Sequence, residues 1–314
     1  MKKKVFFLLL FICIYNVYST EINVNRNGTE ITLSFTMDEF SSSISFYFLN
    51  NFKVESNNAI VQKGSTIEIN KINIPSINAA GGKAYTSYKL GNVTLEEGEK
   101  YVINENKEIN FNIILKFLGI ELTDQSIKLY EFHIDSTPPT VPAINLNGYN
   151  SGKWTNQDVI IDLSKSTDSE SGFSHYDFIE TNNETFIQNI PEYAWQKLEN
   201  NQYQTNVEDN KVFEKYLYFR AVDNVGNKTE VLGPVIVRID KIAPELSTGN
   251  YTTGWSKETV IITATDDNSK VKKLEINSQS YNLSKYTLNQ TGTYTAKAID
   301  NAGNESESKN VVLI

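Results

Sequence analysis

Cysteine, histidine and methionine are almost missing from these 314 residues: one Cys, two His and two Met. Each scarcity removes a class of chemistry. His133 and His175 stand 42 positions apart in separate predicted modules, so neither a histidine-based triad nor a histidine-rich zinc site can be assembled from sequence neighbours. Cys13 lies in a segment expected to be removed, which leaves the mature chain without a thiol nucleophile or a disulfide. No apolar run reaches the ~20 residues that a membrane-spanning helix needs. Beyond Lys2, Lys3 and Lys4 there is no run of Lys or Arg, and loss of those three moves the formal net charge from −9 to −12. Phosphate backbones and anionic lipid surfaces repel such a chain, so nucleic acid is not an expected partner, and the mature chain is not expected to insert in a membrane. Chemistry by carboxylates alone survives this elimination, but nothing in the spacing selects a pair from the many loop acids. The chain is therefore expected not to be an enzyme.

What is present starts at the N-terminus. Lys2–Lys4 precede the apolar run Val5–Ile12, and Val17-Tyr18-Ser19 offers small or medium residues at the −3 and −1 positions. That pattern is a secretory signal peptide over residues 1–19, with the mature chain beginning near Thr20 and secreted or held at the cell surface. A lipid on Cys13 is the weaker alternative, because the bulky Ile12 before it suits lipoprotein processing poorly.

Downstream, the chain repeats itself. Arg220-Ala221-Val222-Asp223-Asn224-Val225-Gly226-Asn227 returns 77 residues later as Lys297-Ala298-Ile299-Asp300-Asn301-Ala302-Gly303-Asn304. Ahead of each copy come an Ile-Asp with a proline four residues on (Asp135 and Pro139; Asp240 and Pro244), a Trp (Trp154; Trp255) and an apolar triplet (Val159–Ile161; Val260–Ile262). Four landmarks in one order make a repeat. From Trp to the repeated Asp the distance is 69 residues in one copy and 45 in the other, so the first carries an insertion, placed near 182–210.

Local periodicity is that of strands. Glu30–Phe35, Thr66–Asn70 and Tyr294–Ala298 alternate with period two, Asn27-Gly28 signals a hairpin, and only Glu192–Leu198 suggests a helical turn. Asp223 and Asp300 open turns in which the carboxylate accepts backbone N–H bonds and Gly226 or Gly303 takes the left-handed conformation.

These residues resemble the immunoglobulin-like modules strung along bacterial surface and secreted proteins. The last hairpin of those modules often reads Ala-x-Asp-x-x-Gly-Asn, here Ala221, Asp223, Gly226, Asn227 and Ala298, Asp300, Gly303, Asn304; their linkers often read Asp-x-x-x-Pro. The resemblance covers roughly 138–314. It implies an all-β fold of tandem immunoglobulin-like β-sandwiches joined end to end by short Pro-containing linkers, with an insertion-bearing module over 136–240 and a compact one over 241–314. Outside the resemblance, the same alternation and the strand-to-linker ending Tyr130–Asp135 give an N-terminal β-sandwich over 20–135. The resemblance also puts Tyr294 at the tyrosine-corner position, with Leu217 aligned to it, and Ala296 where antibody domains have a cysteine. Trp154 and Trp255 are expected to pack near the first corner of each module.

The implied role is structural, as a spacer or adhesion module of an exported bacterial protein. The alternative is carbohydrate binding by the insertion's Phe186, Tyr193, Trp195 and Tyr203, and a host or cell-surface protein or glycan is the partner either reading calls for. If the fold is immunoglobulin-like, the loops after the second and sixth strands meet the linker. That brings Asp135, Asp168, Glu170 and Asp223 to one module end, and Asp240, Asp266, Asp267 and Asp300 to the other. Such carboxylates could hold calcium, which takes about six to eight oxygen ligands, or they are solvated turn formers.

Overall fold

Alternating apolar and polar residues become paired strands through the described part of the chain. The structure, a computed structural model, describes residues 23–314 except 28–29, 38–39, 49–51, 56–57, 74–77, 80–81, 95, 118–119, 183, 185–189, 250 and 252–253. The expected signal peptide and Phe186 lie outside the described residues. Among those described, no helix is long and apolar enough to cross a membrane, and the one helical piece is the 3-10 turn Glu192–Ala194. The three stretches expected as strands fall in Glu30–Met37, Ser65–Asn73 and Gly292–Asp300.

The sheets form three pairs, each drawn from its own stretch of chain. In the last stretch, a three-stranded sheet (Glu245–Ser247, Val260–Thr265, Lys285–Leu288) is paired with a four-stranded one (Gln279–Tyr281, Val271–Ile276, Gly292–Asp300, Lys309–Leu313). Val260, Ile262 and Ala264 of the first share a single buried cluster with Leu274, Ile276, Ala296, Ala298, Val311 and Leu313 of the second. Residues of the opposite parity, such as Ile261, stay exposed, so one face of each sheet makes the core. Each aliphatic side chain fully buried there contributes roughly 1.5–3 kcal/mol, and no disulfide is needed. The Tyr294 hydroxyl donates to the Gln290 carbonyl four residues upstream at 2.9 Å, the tyrosine-corner bond.

The middle stretch repeats this plan. Ile144–Asn145, Ile160–Leu163 and Gln202–Gln204 make a three-stranded sheet, and the other sheet runs Trp154–Thr155, Leu232–Asp240, Val212–Asp223, Phe173–Thr181, Gln196–Leu198. Here every residue from Leu217 to Asp223 is buried, against the alternation a half-covered strand shows. The cause is chain beyond Thr181: Tyr218 donates its hydroxyl to the Glu184 carbonyl at 2.6 Å, and Arg220 is bonded to Glu192, so the second face of this sheet is covered as well.

Two expectations change. Gln202–Gln204 pairs with Ile160–Asp162 as Lys285–Leu288 pairs with Val260–Thr263, so Tyr203 belongs to a ladder strand common to both repeats. About half of the extra chain falls in sequence between the strands Phe173–Thr181 and Gln196–Leu198, where the other repeat has only the turn Asn277-Ser278. The tryptophans also differ. Both lie beside the last strand, yet Trp154 is half-buried with Arg238 over its ring, whereas Trp255 is 61 % exposed with Lys257 nearest its ring. Trp255 is thus not a packing residue; its repeat has Val312 in the last strand where the other has Arg238.

The N-terminal stretch supplies a five-stranded and a seven-stranded sheet, with Ile67, Ile69, Tyr101 and Ile103 of one and Ala59, Val61, Ile109, Tyr130 and Phe132 of the other buried. Packing groups the chain into two compact units. The first holds the described chain up to Pro139 together with Thr167–Ser174 and Val222–Lys228; the second holds Thr140–Ser166, His175–Ala221 and Thr229–Ile314.

Candidate functional site

Within the first unit, Asp135, Asp168 and Asp223 each place a carboxylate oxygen within 4.8 Å of the others, and within the second unit Asp240, Asp266 and Asp300 do the same. Asp135 ends the strand Ile120–Asp135, Asp168 starts the turn before Phe173–Thr181, and Asp223 ends Val212–Asp223. The second set occupies the same three places one repeat later.

Backbone N–H groups organise each carboxylate. Asp223 Oδ1 accepts from Val225 N (2.9 Å), Gly226 N (2.6 Å) and Asn227 N (2.9 Å). Asp300 Oδ1 accepts from Gly303 N (2.6 Å) and Asn304 N (2.8 Å). The loop closes this tightly because Gly226 and Gly303 sit at φ 99° and 100°, where a side chain is strained. Asp168 Oδ1 accepts from Gly172 N (2.7 Å) as Asp266 Oδ1 accepts from Lys270 N (2.6 Å). Asp135 Oδ2 takes Ser171 N and Asp240 Oδ2 takes Ser269 N, both at 3.1 Å.

Asparagines tie the three segments together. Asn227 Nδ2 donates to Asp223 Oδ2 (2.8 Å) and to the Asp135 carbonyl (3.1 Å); Asn304 Nδ2 donates to Asp300 Oδ2 and to the Asp240 carbonyl, each at 2.7 Å. Asn224 bonds the carbonyls of Ser171 and Gly172, and Asn301 those of Ser269 and Lys270. Gln62 adds a bond to Asn227 at the first set. These amides were legible only as turn residues; their recurrence in both copies was the available signal of a further role.

The charges respond to this setting. Burial pushes the Asp135 carboxyl up, but the bonds from Ser171 and Thr137 outweigh it and hold the group below its ordinary value. Asp266 is pushed above the ordinary value by burial and by the charges of Asp240 and Asp300, against the lowering bond from Lys270 N. Glu170 and Asp267 are not in the converging sets. Glu170 is an exposed residue whose N–H caps Asp168 (3.1 Å), and hydrogen bonding to Asp135, burial and the charges of Asp135 and Asp168 raise its carboxyl. Asp267 is exposed and presents its carbonyl to Lys270 Nζ (2.7 Å). Each lies just past the acid that turns inward.

The aromatic candidates are dispersed. Tyr193 is 90 % exposed. Trp195 is half-buried with the Arg220 guanidinium 4.1 Å from its ring centroid; Arg220 also binds Asp177 (2.9 Å) and Glu192 (2.7 Å). Tyr203 is buried against Phe178 and Phe219 and donates to Glu180 at 2.6 Å; burial, then Glu180, pushes its phenol far up. It is closed to a ligand. His175 contacts Asp177 at 3.1 Å, and burial, opposed by the Asp177 charge, lowers its imidazole. Sequence alone did not reveal Arg220, whose partners are distant along the chain.

No family model matches the chain, and no curated protein matches it. Among solved structures it is similar to the fibronectin(III)-like modules of Clostridium thermocellum CbhA, at 15 % identity and TM-score 0.30 over 55 % of this chain and 93 % of that one. It is also similar to chicken CNTN1 FN1-FN3 domains, at 11 % identity and TM-score 0.24 over 84 % of this chain and 98 % of that one. Both are strings of fibronectin type III modules, a β-sandwich class.

Proposed function

We propose that the chain is a non-catalytic exported bacterial protein whose immunoglobulin-like modules act as a spacer or adhesion unit. The observation that carries this reading is the twofold recurrence of one junction, in which the carbonyl and carboxylate at a strand exit are bonded to two turns of the next module. A joint built the same way at successive boundaries suits a string of modules transmitting force or holding a ligand-bearing surface away from a cell. The scarcity of His and Cys is in keeping with a role other than catalysis. The test is expression of the full chain with its leader in a bacterial host, followed by intact-mass measurement. A chain outside the cytosol that begins near Thr20 supports the reading; a cytosolic chain with residues 1–19 attached contradicts it.

Calcium at the two carboxylate trios is a second reading, favoured by the 4.8 Å convergence. Three carboxylates supply part of the six to eight oxygens that calcium takes at about 2.3–2.6 Å. A ligand held only by the folded state raises the unfolding midpoint with concentration. A rise at millimolar calcium over chelator supports the site, and no rise removes it.

A further inference from the structure

A cavity of about 350 Å³ opens in the middle stretch among Asn147, Tyr149, Asn150, Lys153, Trp154 and Gln157. Its lining includes none of the six trio acids and no described residue of 182–195. Its size is at the lower end of the ~300–1,000 Å³ of small-molecule sites.

The walls are fixed in advance. Tyr149 donates its hydroxyl to the carbonyls of Lys153 (2.7 Å) and Ile236 (3.1 Å) and accepts from Arg238 N (3.0 Å). Main-chain bonds from Tyr149 N to the Leu146 carbonyl (2.9 Å), Lys153 N to the Asn150 carbonyl (3.0 Å) and Gly152 N to the Ile236 carbonyl (2.8 Å) brace the loop. Arg238 lies over the Trp154 ring, its guanidinium carbon 6.0 Å from the centroid. A ligand entering here finds aromatic surface already ordered, which lowers the entropy lost on binding.

The polar groups divide into spent and unspent. Asp158, also in the lining, is committed to Thr205, Val207 and Lys241, and Asn147 to Asp162 and the Ile160 carbonyl. The indole N–H of Trp154, the side-chain amide of Asn150 and the ammonium of Lys153 have no hydrogen-bonding partner among the described residues. The indole N–H of a half-buried Trp154, an amide offering donor and acceptor, and the Lys153 ammonium match a ligand with an apolar ring and a hydroxyl-bearing rim. A lipid or other wholly apolar ligand leaves those groups unpaired, at a cost of about 1–3 kcal/mol for each that becomes buried. Among the lining residues a phosphate finds one cation, Lys153.

We propose that this cavity binds a carbohydrate of hexose class, with the ring against Trp154 and hydroxyls bonded to Asn150 and Lys153. The proposal goes beyond the spacer reading and is tested apart from it. The experiment is saturation-transfer NMR on the full chain with the methyl glycosides of glucose, galactose, N-acetylglucosamine and glucuronic acid. At least one glycoside is expected to receive saturation. Its affinity should fall about tenfold, or ~1.4 kcal/mol, in Trp154→Ala and also in Asn150→Ala, whose exposed side chain can be removed without touching the core. Lys153→Ala should weaken the glucuronide more than the neutral sugars. Trp195→Ala should leave the affinity unchanged. Transfer to none of the four by the folded chain, or transfer that Asn150→Ala leaves intact, overturns the proposal. The leader-processing result is unaffected by either outcome.

Discussion

Asn304 spends its side-chain amide on two acceptors, the Asp300 carboxylate of its own turn and, across the junction, the Asp240 carbonyl, each at 2.7 Å. Asn227 does the same between Asp223 and Asp135. The recurring amide thus serves as the pin of a latch as well as part of a turn.

Replacing Asn304 by Ala removes both bonds and strands the Asp240 carbonyl. With about 1–3 kcal/mol for a buried group left unpaired, the full chain should lose roughly 2–3 kcal/mol in urea unfolding. Asn304→Asp, which adds a fourth carboxylate and removes the donor, should lose more.

Asp135 and Asp266 should respond oppositely to acid. Asp135 has a depressed folded-state value, so the stability it adds is present above the ordinary carboxyl value and is lost as pH falls through the depressed one. Asp266 is raised, so the folded form binds its proton longer than the unfolded chain does, and stability falls as pH climbs from the ordinary value through the raised one. In chelator at neutral pH, Asp266→Asn should raise the melting midpoint, whereas Asp135→Asn should lower it. The opposite pair of shifts, measured calorimetrically, contradicts the assignment.

Arg220 is buried between Asp177, Glu192 and Trp195, and its removal leaves Asp177 uncompensated. Breaking such a pair from one side costs ~3–5 kcal/mol, so Arg220→Ala should show a loss of that order in denaturant unfolding. Trp195→Ala should also destabilise, because the ring covers Arg220.

Tyr176 is fully buried, and its hydroxyl bridges Ser166 N and the Ser164 carbonyl, both at 2.7 Å. Tyr176→Phe should cost about 1–3 kcal/mol, and faster exchange of the Ser166 amide is the accompanying signature.

Much of the trios was legible because an immunoglobulin-like topology, once inferred, turns order along the chain into position: an Asp at each strand exit, one after the second strand, one before Gly-Asn. Glu170 and Asp267 could not be separated from Asp168 and Asp266 on that basis, since which of two nearby acids turns inward depends on the turn's backbone. Tyr203 looked like part of an insertion because the ladder to Ile160–Asp162 is non-local. Trp154 and Trp255 shared a motif but not a neighbour, Arg238 having no counterpart beside Trp255.

The most direct measurement is amide hydrogen exchange on the full chain bearing Asp240→Ala. Ser269, which donates to the removed carboxylate, and the turn amides of Lys270, Gly303 and Asn304 should lose protection together, while the strands Val260–Thr265 and Gly292–Asp300 keep theirs. Unchanged protection at those four amides contradicts a latch between successive modules.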